Sequence, residues 1–117
     1  MKQIVLVTGG FDPIHSGHIA YFQEARKIGD LLIVGINSDS WLARKKGSAF
    51  MQTSERKNII ENLKMVDEVI LFDDEDDSAK DAIRMVRKNI QLTRLFLLAV
   101  VIEKNNIYPK WMLKVKI

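Results

Sequence analysis

The stretch "QIVLVTGGFDPIHSGHIAYFQEARKIG", residues 3–29, decides how the rest of the chain is read. It opens on a short apolar, β-branched run that ends in glycine, the pattern of a buried strand. Gly9 and Gly10 then permit a tight backbone turn and an approach unobstructed by a Cβ. Pro13 stiffens the loop. From Gly17 to Ile28 the apolar residues Ile19, Phe22, Ala25 and Ile28 recur at helical spacing, with Gly29 as the stop. A strand, a glycine bend and a helix therefore follow one another within thirty residues.

The same alternation continues outward. "LLIVGI" is a second buried strand, closed by "NSDS". Residues 41–52 have no clean period and hold the basic cluster "RKKG", which predicts a loop. "TSER" predicts a helix start, with Thr53 or Ser54 as the cap and Glu55 in the first turn. That helix carries Ile59, Ile60, Leu63 and Met65 on its apolar side. "EVILF" is a third strand. "DDEDD", residues 73–77, reads as a solvated acidic turn before a third helix with Ala82, Ile83 and Val86 at core spacing. "RLFLLAVVI" is a fourth strand. Strands alternating with helices of about a dozen residues imply βαβ crossovers. Apolar strands that do not alternate imply burial on both faces. The predicted fold is a single α/β domain, a Rossmann-like doubly wound parallel sheet over residues 1–102, followed by a basic tail, 103–117, with no readable period. In such sheets ligands sit beyond the carboxyl ends of the strands, which is where "GGFDPIHSGH" falls.

Composition narrows the classes. The 117 residues contain no cysteine, which excludes a disulfide framework and a thiolate metal site. The longest apolar run, residues 95–102, is too short to span a membrane, and the start of the chain lacks a signal-peptide apolar region. The expectation is a cytoplasmic protein without a membrane partner. Net charge is +3, but residues 1–89 carry 13 Lys/Arg against 14 Asp/Glu, while residues 90–117 carry five against one. There is no basic stripe with interleaved aromatics, so no nucleic-acid partner is expected.

His15 and His18 are the chain's two histidines. The predicted geometry puts His15 just before the first helical turn and His18 inside it, beside amides that lack intrahelical partners. Two imidazole N–H donors and those bare amides would converge on one phosphate, stabilising charge that grows during phosphoryl transfer. A metal site would need a third ligand of the same kind, and the chain has no further His or Cys.

"GGFDPIHSGH" resembles the Gly-x-Phe-Asp-x-x-His-x-Gly-His signature of the cytidylyltransferase-like nucleotidyltransferases, a group that includes glycerol-3-phosphate cytidylyltransferases and the adenylyltransferase domain of ADP-heptose synthases. "GDLLIVGINSD", "RKKG" and "SERKNIIENLKMVDEVILF" resemble later family segments in the same order, so that the likeness covers residues 2–89. The resemblance implies binding of CTP or ATP over the loop, attack of a phosphorylated alcohol or sugar on the α-phosphate, release of pyrophosphate, and Mg²⁺ carried mainly by the triphosphate. By position, Gly9, Gly10, Phe11 and Gly17 would line the nucleotide site, and His15 and His18 would hold the α-phosphate and the departing oxygen. Lys45 and Lys46 would neutralise phosphate, with Lys46 the better match. Asp12 would sit near the metal or orient the loop. Asp39 would touch the acceptor or end the strand. Arg56 would reach phosphate or pair with a carboxylate. Family members often dimerise through this domain, so a homodimer is compatible with the resemblance.

The family pattern continues after its fourth strand with a Gly-Asp turn, a late Arg and a Ser/Thr-rich helix start. This chain has no Arg, Ser or Thr after Arg94. Three explanations of that shift compete: a substitute for the late groups from Lys104 or Lys110, a partner subunit that completes the site, or a reading-frame change beyond residue 89, which the abrupt change of composition favours. The expected activity is nucleotidyl transfer, leaning to cytidylyl transfer. The alternatives are a nucleotide-binding domain without the late phosphate clamp and a pure interaction module.

Overall fold

The computed structural model describes residues 2–90, 96–102 and 113–116, so most of the predicted basic tail lies outside the described residues. Strand β1 (Lys2–Gly9) leads through helix α1 (Ser16–Ile28) to β2 (Leu31–Ile36). Two helices follow, α2 (Asp39–Lys46) and α3 (Thr53–Glu61), then β3 (Glu68–Leu71), α4 (Lys80–Ile90), β4 (Phe96–Ile102) and β5 (Leu113–Lys116). The five strands form one sheet in the order β3-β2-β1-β4-β5. The first four are parallel, with Ile4 beside Leu31 on one side of β1 and beside Leu98 on the other. The doubly wound α/β fold is therefore present, and β5 adds an antiparallel edge strand from the tail that had no readable period.

β1 explains its own sequence. Val5 and Val7 point into a core with Tyr21, Phe22 and Ala25 of α1 and Ile60 of α3. Ile4 and Leu6 point the other way, into a core with Phe72 and with Ala82 and Val86 of α4. A strand with a core on each face has no polar side to show, hence the unbroken apolar run. The direction of winding reverses between β2 and β4, so the carboxyl end of β1 lies at the switch point of the sheet.

Four local expectations change. Residues 39–46 are helical where a loop was expected from residue 41. Ser38 caps α2 by accepting from the Trp41 N–H, and Gly47, at φ 94, ends it. Leu42 alone is buried on that helix, so no apolar period announces it. At α3 the cap is Gln52, without a side-chain bond, and neither Thr53 nor Ser54 serves. Gly29 closes α1 in an extended conformation, not a left-handed one. A Cβ there would stand 2.6 Å from the Gln3 carbonyl oxygen, so close packing demands the glycine. The acidic turn is not wholly solvated either, because Asp74 is only 3% exposed.

Candidate active site

The loop after β1 is built around Phe11. Its backbone is left-handed, at φ 51, a conformation that non-glycine residues seldom adopt. Its ring is 3% exposed, edge-on to His18 at 5.2 Å and to Phe22 at 5.1 Å between centroids. A Cβ on Gly9 would stand 2.8 Å from that ring, and one on Gly10 would stand 2.9 Å from Leu42. The two glycines thus clear space for the loop's own packing, where the sequence suggested room for a ligand.

The histidines occupy the predicted positions with different wiring. His15 is the cap of α1, and its Nδ1 accepts from the Gly17 N–H at 3.0 Å. His18 Nδ1 accepts from the His15 N–H at 3.1 Å, closing a reciprocal capping box. The His18 N–H donates to the His15 carbonyl at 2.9 Å. The amides of His15, Gly17 and His18 are therefore not bare, contrary to the expectation. A backbone N–H can only donate, so each accepting Nδ1 carries no proton and each neutral ring carries its proton on Nε2. The rings lie 3.9 Å apart between centroids, tilted by 35°. The capping box thus engages these helix amides and fixes both rings by their Nδ1 atoms. Burial, with the repulsion that a protonated His15 would add, pushes the His18 pKa down to about 4, so this ring is neutral at physiological pH.

Asp12 is bonded within the chain itself. Its carboxylate accepts from the backbone N–H groups of Phe50, at 2.6 Å, and Met51. It also pairs with Lys46 at 2.7 Å. Burial alone would raise its pKa, but the bonds from Lys46, Phe50 and Met51 outweigh that and hold it below the usual value. Asp12 orients the loop and is already engaged. Among the described residues there is no group of three His, Cys, Asp or Glu able to hold a metal ion. Lys46 also donates to the Asp12 carbonyl at 2.7 Å, while Lys45 lies over the Trp41 ring at 5.5 Å from its centroid.

These groups enclose a cleft of about 380 Å³, lined by Gly10, Phe11, Asp12, Pro13, His15, His18, Trp41, Leu42, Lys45 and Lys46. The loop supplies one wall and α2 the other. Nothing in the sequence singles out Trp41 and Leu42, since the helix that presents them has no apolar period. A larger hollow of about 580 Å³ runs along α4 beside Lys80, Arg84 and Arg87, and holds none of the motif.

Arg56 and Asp39 are not cleft residues. Arg56 is wholly buried, at 0% exposure. Its guanidinium donates to the carbonyls of Met51 (2.9 Å), Gly10 (2.9 Å) and Asn37 (2.7 Å), and to Asp39 (2.7 Å) and Thr53 Oγ1 (3.1 Å). It ties three chain segments together behind the cleft, so the expected phosphate contact gives way to the carboxylate pairing. For Asp39, burial would raise the pKa, but Arg56 and Thr53 hold it below the usual value.

A family model described as Cytidylyltransferase-like matches residues 6–111, further than the 2–89 that the motifs covered. The chain is 38% identical over 91 residues to "Bifunctional protein HldE" of Syntrophotalea carbinolica, covering 76% of this chain and 18% of that protein. It is 41% identical over 76 residues to the protein of the same name from Citrifermentans bemidjiense, covering 63% of this chain and 16% of that one. The chain thus spans less than a fifth of these two relatives. Among solved structures, the "lipopolysaccharide core biosynthesis protein from Thermoplasma volcanium GSS1" superposes with a TM-score of 0.67 at 26% identity, covering 89% of this chain and 98% of that one.

Proposed function

Because this chain belongs to the cytidylyltransferase-like family of nucleotidyltransferases, we propose that it transfers a nucleoside monophosphate from CTP or ATP to a phosphorylated sugar. An oxygen of the acceptor phosphate attacks the α-phosphorus. The bond to the bridging oxygen breaks, and pyrophosphate leaves with that electron pair. The observation that carries this reading is the imidazole pair, 3.9 Å apart, with both Nδ1 atoms spent on the backbone. Donors held in advance where charge develops favour the transition state over the ground state.

Lys45 and Lys46 line the same cleft from the opposite wall and add positive charge beside the phosphates. The volume of about 380 Å³ lies within the usual range for a small-molecule site. The fit to a protein-held metal is poor, because Asp12 already spends its oxygens on Lys46 and two amides. A magnesium ion here would be carried by the triphosphate. The sugar phosphate is favoured by the relatives, one of which is described as a lipopolysaccharide core biosynthesis protein.

A second reading, binding without turnover, is favoured by the absence of Arg, Ser and Thr after Arg94. Pyrophosphate release, measured with CTP and with ATP across a panel of sugar phosphates and glycerol phosphate, decides between them. The expected result is release with at least one pair, reduced about 10²–10³-fold in His18→Ala, the cost of one such donor. Equal rates in the variant would remove the proposed role of the ring. Heat of triphosphate binding without any release would favour the second reading.

A further inference from the structure

We propose that Asp74, inside the acidic turn before α4, is a positioning residue that sets the wall of the cleft formed by α2. Asp74 Oδ2 accepts from the Ser38 N–H at 2.7 Å and from Asn37 Nδ2 at 3.0 Å. Its Oδ1 accepts from the Ser38 hydroxyl at 2.7 Å. That hydroxyl oxygen in turn accepts from the Trp41 N–H at 3.0 Å, as the cap of α2. The far end of the helix is tied to the same turn. Arg44 donates to the Asp74 carbonyl at 2.7 Å and to the Asp77 carboxylate at 3.0 Å.

α2 has eight residues and buries Leu42 alone. A helix so short is marginal without outside support, so the bonds at its two ends decide where it lies. Trp41, Lys45 and Lys46 ride on it into the cleft. Burial would raise the Asp74 pKa, but the Ser38 and Asn37 bonds and the Arg44 charge outweigh that and keep it an acceptor.

The significance of this wall rests on the cleft being the nucleotide site, and the experiment separates the two questions. The chain holds two tryptophans, so Trp111→Phe leaves Trp41 as the sole tryptophan, which is excited selectively at wavelengths the two tyrosines do not absorb. In that background, acrylamide quenching reports how well Trp41 is held, and calorimetry with CTP and ATP reports the cleft. Ser38→Ala and Asp74→Asn are expected to raise quenching about twofold by loosening the helix and to weaken triphosphate binding about tenfold. Far-UV circular dichroism is expected to stay unchanged. Ser38→Thr, which keeps the hydroxyl, restores both readouts. Unchanged quenching in Ser38→Ala and Asp74→Asn would overturn the positioning role. Absence of triphosphate binding by the parent chain would overturn the nucleotide reading, while the quenching comparison still decides for or against Asp74.

Discussion

Replacing Arg56 by Met removes a fully buried guanidinium and leaves a side chain of similar length. Three backbone carbonyls, on Gly10, Asn37 and Met51, lose their donor, and Asp39 loses its ionic partner. Asn37 is the most enclosed of these residues, and an acceptor left unpaired there costs about 1–3 kcal/mol. Asp39 is half exposed, its side chain at 47%, so water recovers part of the ion pair. The net loss is about 3–5 kcal/mol, most of it from the carbonyls left without a donor. That is a large share of the roughly 5–15 kcal/mol by which a domain is stable. With a urea slope of about 1–3 kcal/mol per molar, the unfolding midpoint falls by roughly 1–5 M. Arg56→Lys keeps a charge for Asp39 but cannot span the separate carbonyls, so it recovers part of the loss. A loss below about 1 kcal/mol in Arg56→Met, from equilibrium urea unfolding at pH 7, would refute the account of Arg56 as the tie behind the cleft.

Two further outcomes follow from the buried groups and the glycines. His18 has a folded pKa of about 4 against an ordinary 6.5, so the unfolded chain takes up this proton first and stability falls as pH drops from 6.5 towards 4. That amounts to roughly 3 kcal/mol. Asp12, Asp39 and Asp74 all sit below their ordinary 3.8, so their contribution is complete above that value and is lost below it. Thermal melts from pH 8 to pH 3 are expected to show two stages, the upper one missing in His18→Gln. A melting temperature flat between pH 7 and 5 would contradict the first. Gly29→Ala forces a methyl to within 2.6 Å of a backbone oxygen, whereas Gly47→Ala meets nothing within 4 Å and bears only the strain of φ 94. Urea unfolding is expected to give the Gly29 variant the larger loss, about 1–3 kcal/mol against about 1 kcal/mol for Gly47.

Much of this was legible because burial on two faces writes itself as unbroken apolar runs, as in β1 and β2, and because α1 repeats its apolar residues at helical spacing. His15 and His18 were legible from the glycines around them. α2 was not, since a helix that buries Leu42 alone has no period to read, and Ser38, its cap, also suits a turn. Arg56 and Asp74 look like surface charges in sequence. Their burial depends on partners 17 to 46 residues away, which no local pattern reveals. At Gly9 and Gly10 the sequence signals a missing Cβ but not its cause, since Phe11 and Leu42 come from within the fold to fill the space.

The capping box also limits what the two rings can do with protons. Each Nδ1 lone pair is committed to a peptide N–H, so protonating it breaks the start of α1. Neither imidazole is then suited to act as a general base towards an incoming nucleophile. Under the proposed function, this favours a nucleophile that arrives already ionised. A phosphate monoester meets that requirement near neutral pH, and an unactivated alcohol does not.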